Sequence, residues 1–174
     1  MNNYKAIVIG ATGGVGSYLI EKILTSPDYS KVTVISRKEL LISPNLYNIV
    51  WTDFSEYLLD MKDETVEMFK NHDVLFCCLG ASEKAMMGLL FNKKKYRKIF
   101  RTTDYDYTVG AASLAREADI PQFSVISSPT ANPNARFLYS KIKGEMELAV
   151  KTLAFDRLSI FHPYQLMKQG KEND

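Results

Sequence analysis

Two groups of residues in this 174-residue chain have the types and spacing that chemistry needs. The first is Gly10-Ala11-Thr12-Gly13-Gly14-Val15-Gly16, set directly after the apolar run Ala6-Ile7-Val8-Ile9. Strand, glycine turn and helix, in that order, make the context in which a glycine pattern implies a nucleotide site. Gly10 would let the chain leave the strand sharply, Gly13 would let backbone approach a pyrophosphate, and Gly16 would let the helix pack closely. The free N–H groups of the helix start would then face phosphate. The spacing is Gly-x-x-Gly-x-x-Gly, with Gly14 in addition, so a glycine turn that binds nothing is the competing reading.

The second group is Tyr139 and Lys143, four residues apart and hence on one face of a helix. An ammonium held near a phenol favours the phenolate. Tyr139 would then serve as general acid towards a carbonyl oxygen, or as base towards an alcohol. Ser127 and Ser128 end a strand just upstream, where a hydroxyl could hydrogen-bond a substrate carbonyl. Strand alternation favours only one of them. Both are candidates, with Ser127 ahead.

The choice of dinucleotide is read at the end of the second strand. An acid there would bind the ribose hydroxyls of NAD. This chain has Ser36-Arg37-Lys38. Arg37 could pair bidentately with a 2′-phosphate, so NADP is predicted over NAD. Asp53 and Phe54 are expected beside the adenine, Leu79-Gly80-Ala81 beside the adenine ribose, and Pro163 near the nicotinamide. Turn and loop roles are the alternatives for Arg37, Lys38 and Asp53.

Alternating strands and helices must position these groups. Strands are predicted at Tyr4–Ile9, Lys31–Ser36, Ile49–Trp51, Asp73–Leu79, Phe123–Ser127 and Arg157–Phe161. Helices are predicted from about Gly14 to Thr25, Thr65 to Asn71, Thr103 to Ala118 and Phe137 to Leu153, with a loop over 44–48. Such alternation implies right-handed crossovers and an α/β, doubly wound parallel sheet of Rossmann type. The expected layering is α/β/α, the strand order 3-2-1-4-5-6, and the whole chain, 1–174, one domain. Residues 82–103 resist this reading. Their basic run, Lys93-Lys94-Lys95-Tyr96-Arg97-Lys98, is read first as a solvated helical face and second as a flap or a docking patch for an acidic partner.

A net charge of +2 argues for no particular polyanion, and no aromatic-plus-basic pattern supports nucleic-acid binding. No apolar run approaches a membrane span, and no His, Cys, Asp or Glu cluster has metal spacing. Cys77 and Cys78 are adjacent within an apolar run, so they read as buried hydrophobes of a reduced protein. The first strand begins almost at once, which leaves no room for a leader and gives a cytoplasmic expectation. His72 is read as chemically idle, His162 first as idle and second as a contact to cofactor or substrate, and Trp51 as core.

With these residues on the page, the chain resembles the short-chain dehydrogenase/reductase superfamily. It is most similar to the atypical branch of the Tat-interacting oxidoreductase-like proteins. Phe76-Cys77-Cys78-Leu79-Gly80, Ile126-Ser127-Ser128, Phe137-Leu138-Tyr139, Lys143-Gly144-Glu145 and Phe155-Asp156-Arg157-Leu158-Ser159 carry that likeness. The resemblance implies NADPH on the Gly10–Gly16 turn and a Ser-Tyr-Lys site at Ser127 or Ser128, Tyr139 and Lys143. It also implies a carbonyl substrate, or else a regulatory module that binds NADPH and a protein partner. Two departures stand out. His162-Pro163-Tyr164 replaces the family's Arg-Pro-Gly, and the sequence ends at Asp174, where the family continues into its substrate region. A reduced substrate region is therefore expected, with the cleft open, or covered by a second subunit in a homodimer, or the chain shortened.

Overall fold

The structure is a computed structural model that describes residues 3–40, 43–81 and 93–164. Six parallel strands form one sheet: β1 (Tyr4–Ile9), β2 (Tyr29–Ser36), β3 (Leu46–Val50), β4 (Val74–Cys77), β5 (Gln122–Ile126) and β6 (Arg157–Phe161). Their order is β3-β2-β1-β4-β5-β6, as the alternation of the sequence implies. β1 is central because Ala6, Ile7, Val8 and Ile9 are apolar on both faces, and all four are fully buried. Its register pairs Ile9 with Ile35 of β2 and with Cys77 of β4. The carboxyl ends of these three strands therefore stand level.

Side-chain alternation assigns the two faces. Val8, Val32 and Val34 point to one, where α1 (Gly14–Thr25) lays down Ile23 with Leu19, Ile20 and Leu24. Ile7, Ile9, Ile35, Leu75, Phe123 and Val125 point to the other. There they meet Phe69 of α3 (Asp63–Phe69), Ala111, Ala112, Leu114 and Ala115 of α5 (Tyr107–Glu117), and Met146 and Val150 of α6 (Leu138–Thr152). The small residues of α5 let that helix sit close over the sheet. A Cβ on its Gly110 would lie 2.1 Å from the carbonyl oxygen of Leu58, in the short helix α2 (Ser55–Leu58).

Several boundaries differ from the sequence reading. The predicted loop over 44–48 is half strand: Leu46–Val50 pairs in register with Val32–Ser36. Trp51 leaves the strand to become core, stacked on Tyr57 at 4.5 Å between centroids. Of the stretch 82–103, residues 82–92 lie outside the described residues. The remainder is α4 (Lys93–Phe100) followed by a π-helical segment, Arg101–Asp106, that runs into α5 without a break. The expected helix start at Thr103 is thus the middle of a continuous rod.

Candidate functional site

The glycine turn divides into residues the backbone requires and residues it does not. Gly10 has φ +85°, and a Cβ there would lie 2.6 Å from the carbonyl carbon of Cys78. A Cβ on Gly16 would lie 2.2 Å from the Gly10 oxygen, so this glycine packs on the turn itself rather than on the sheet face. Gly14 has open space around it. The Gly13 N–H donates to the Gly10 carbonyl at 3.1 Å and tightens the loop. α1 then begins with no side-chain cap and no acid in its first turn. Its N–H groups and positive dipole end stay available to an anion.

That helix start opens into a cleft of about 460 Å³ at the carboxyl ends of β1, β2 and β4. Gly10, Thr12 and Gly13 form one side, Ser36 and Arg37 the end of β2, and Phe54 the adjoining wall. Cys78, Leu79, Gly80 and Ala81 run past from β4. Tyr96, Ile99, Thr103 and Tyr107 close the far side. Arg37 and Lys38 are exposed and form no ion pair with another described residue. Ser36 turns its hydroxyl into its own loop, donating to the Lys38 carbonyl. Of the other expected contacts, Gly14, Val15 and Gly16 belong to the first turn of α1, and Lys38 lies beside the mouth. Asp53 is exposed, and its Oδ1 accepts the Ser55 N–H at 2.9 Å and the Ser55 hydroxyl at 2.6 Å. Those bonds hold its carboxyl below the usual range. Neither Asp53 nor Pro163 lines the cleft.

The second group lies next to this cleft. Tyr139 packs edge-on against Phe100, with centroids 5.9 Å apart, in a cluster that includes Ala81, Tyr96 and Ile99. Those three residues also line the cleft. Lys143, one turn on, is buried. Its Nζ sits 2.8 Å from Asp104 Oδ1 and donates to the Ile126 carbonyl at 3.1 Å. Asp104, in the π-helical segment, is 1 % exposed, and its Oδ2 accepts the Ala81 N–H at 2.9 Å. One buried carboxylate thus joins the lysine of α6 to the loop that borders the cleft.

The two serines point to different partners. Ser127 donates its hydroxyl to Glu147 Oε1, and His162 Nε2 lies 2.7 Å from the same oxygen. Lys151 is 3.5 Å from Oε2. Burial alone would push Glu147 up, but the bonds from Ser127 and His162 and the charges of His162 and Lys151 hold its carboxyl below the ordinary range. Ser128 shares a 3.0 Å hydrogen bond with Thr130, which also accepts from Ser140 at 2.9 Å. Tyr139, Lys143, Ser127 and Ser128 all lie outside the lining of the cleft.

Sequence reasoning missed Asp104, Glu147, Cys78 and the aromatic far side. Glu147 was within reach, because it continues the four-residue spacing of Tyr139 and Lys143. Asp104 had no such signal, since its partner lies 39 positions away and only the fold joins them. Cys78 was read as core, yet it borders the cleft, with its thiol pushed up to about 12 by burial and by Cys77. It is held there as a neutral thiol. His162 is not idle: it pairs with Glu147. Nor is His72, which is buried with Nε2 2.9 Å from the Thr33 hydroxyl and Nδ1 3.0 Å from the Phe69 and Lys70 carbonyls. Two carbonyls at Nδ1 require the proton there, so Nε2 accepts from Thr33.

Comparison with known proteins places this geometry. A family model described as NAD(P)H-binding matches residues 10–158. The chain is 35% identical to Protein HTATIP2 of Rattus norvegicus over 173 residues, covering 99% of this chain and 67% of that protein. It is 32% identical to Protein FMP52, mitochondrial, of Saccharomyces cerevisiae, covering 92% of this chain and 65% of that one. Among solved structures, MoeE5 in complex with UDP-glucuronic acid and NAD is similar with a TM-score of 0.66 at 18% identity, covering 90% of this chain. The chain spans 52% of the MoeE5 chain, about half its length. The cytoplasmic expectation is corrected here. It rested on the lack of a leader ahead of β1, and relatives from several fungi carry mitochondrial names.

Proposed function

The chain belongs to the NAD(P)H-binding family and is a relative of HTATIP2, and on that premise we propose that it is an NADPH-dependent reductase of a carbonyl substrate, of short-chain dehydrogenase/reductase type. One observation carries the reading. The cleft and the packing cluster of Tyr139 share Ala81, Tyr96 and Ile99, so Tyr139 packs in the same cluster as three residues of the cleft wall.

The residues present fit a dinucleotide. The uncapped, acid-free start of α1 would hold the pyrophosphate, with Gly10, Thr12 and Gly13 around it. Arg37 at the mouth, with no acid in the cleft lining, would pair with a 2′-phosphate and so favour NADP. Leu79, Gly80 and Ala81 would pass the ribose, and Phe54 the adenine. The chemistry a dinucleotide held there would supply is hydride transfer to a carbonyl. Tyr139 would give the proton to the carbonyl oxygen. Lys143 would act one turn on from Tyr139, its ammonium held in place by Asp104. Ser128, whose hydroxyl meets the Thr130 hydroxyl and accepts the Thr130 N–H, both neutral, is freer to turn towards a substrate than Ser127, which is held by a carboxylate.

A second reading, a non-catalytic NADPH-binding module that acts through a protein partner, is favoured by those same commitments. Ser127 is bound to Glu147, and Lys143 to Asp104. Titration with NADPH and NADH, followed by cofactor oxidation over aldehydes and ketones, separates the two. The reductase reading expects saturable NADPH binding weakened by Arg37→Glu. It also expects turnover that falls roughly 100-fold or more in Tyr139→Phe with little change in binding. NADPH binding without turnover on any carbonyl supports the module. Equal preference for NADPH and NADH in both wild type and Arg37→Glu removes the NADP assignment.

A further inference from the structure

α4 has two faces with different neighbours. Tyr96 and Ile99 line the cofactor cleft. Lys94, Arg97 and Lys98, at i, i+3 and i+4, lie on the opposite side of the helix with Arg101 one turn on. On that side a second groove of about 460 Å³ runs between α4 and α6. Its walls are Lys94, Arg97, Lys98 and Arg101 from the rod and Lys141 from α6. Leu138 and Ile142, also four apart, form its apolar floor.

Five cations line the groove with one acid, Glu145, which is already used, and Arg101 also pairs with Asp106 beside it. Glu145 pairs with Arg101 and lies 3.9 Å from Lys141. Lys94, Arg97 and Lys98 form no ion pair with another described residue and point away from the cofactor cleft. The whole chain carries only +2, so this concentration of charge is local rather than a general basicity.

We infer that the groove between α4 and α6 is a docking site for an acidic amphipathic helix of a partner protein. Two features select this occupant. The cations rim an apolar floor on which Leu138 is half-buried, with Ile142 already buried beneath it, so a ligand of phosphates alone would leave Leu138 uncovered. The groove is a channel between two helices, which receives a ridge better than a flat bilayer surface. A helix with leucines at i, i+3, i+4 and i+7 and glutamates on both flanks satisfies floor and walls together.

The test uses the full chain and a fluorescein-labelled peptide of roughly 18 residues, five helical turns, with that leucine stripe and glutamate flanks. Its anisotropy is followed against a peptide of the same composition in scrambled order. Expected are saturable binding of the patterned peptide and weaker binding of the scrambled one. Affinity should be lost near 1 M salt, where the screening length is about 3 Å. Lys94→Glu/Arg97→Glu/Lys98→Glu should weaken binding at least about tenfold while the NADPH titration keeps its midpoint, which shows that the variant is folded. Leu138→Gln should weaken it without altering the salt dependence. The inference is overturned if the patterned peptide fails to saturate, if scrambled and patterned peptides bind alike, or if charge reversal leaves affinity unchanged. It is also overturned if vesicles of anionic lipid or inorganic polyphosphate bind and the peptide does not.

Discussion

Asp104→Asn should be among the most damaging single substitutions in this chain, and Lys143→Met should rescue part of the damage. The two side chains are 1 % and 3 % exposed and 2.8 Å apart. In Asp104→Asn the ammonium of Lys143 stays buried with the neutral Ile126 carbonyl as its remaining partner. Stranding one charge of a buried pair costs about 3–5 kcal/mol, whereas replacing both charges is often close to neutral. In a chain of this size 1 kcal/mol moves Tm by roughly 2–4 °C, so the single variant should melt about 10 °C lower. Asparagine still offers an oxygen to the Ala81 N–H, which keeps that contact out of the comparison. The assay is a double-variant cycle of urea or thermal melts at neutral pH. Asp104→Asn/Lys143→Met should recover at least half of the loss. A single-variant cost below about 1 kcal/mol, or a double variant that loses the sum of the two singles, would refute a mutually dependent buried pair.

Three further outcomes follow from the geometry. Gly16→Ala should cost more than about 2 kcal/mol in denaturant melts, because its methyl would sit 2.2 Å from the Gly10 oxygen, while Gly14→Ala, with open space around it, should fold as wild type. His72 is held below its ordinary value by burial, against the pull of its carbonyl partners. Its folded pKa is the lower one, so the stability it gives at neutral pH should drain away as pH falls below about 6.5, and His72→Gln should flatten urea-melt stability between pH 7 and 5. Glu147 is depressed as well, so its contribution is present above the ordinary carboxylate range and lost at lower pH. Glu147→Gln should therefore change acid unfolding below about pH 4.5 and leave the His72 window alone.

The parts of the fold that one face of one element determines could be read directly. Ala6–Ile9 is apolar on both sides and flanked by glycine, so a central strand and a turn followed without ambiguity. β3 was harder. It is an edge strand whose middle is only partly buried, so Tyr47 and Asn48 lack the apolar run that marked its neighbours. The π-helical turn was invisible, because a change of hydrogen-bond register leaves no trace in residue type. At the site, the spacing of Tyr139 and Lys143 correctly put both on α6, but what Lys143 touches comes from a segment distant in sequence. Ser127 shows the same limit. Its position at a strand end was legible, but its commitment to Glu147 depends on where α6 lies over the sheet.

The π-helical segment also sets the rotational phase of the rod that runs from Lys93 to Glu117. A wide turn accommodates one residue more than an α-turn. Deleting a single residue from Arg101–Asp106 would let the segment close as ordinary helix while the flanking turns keep their phase, whereas inserting one would turn everything on its N-terminal side by roughly 100° relative to α5. The Lys94, Arg97 and Lys98 stripe would leave the groove, and Tyr96 and Ile99 would leave the cleft. Asp104 would also be carried off Lys143. Point substitutions on this rod away from the groove cations should be tolerated, while a one-residue insertion should disable both clefts at once. The segment thus has room to give up one residue and none to take another.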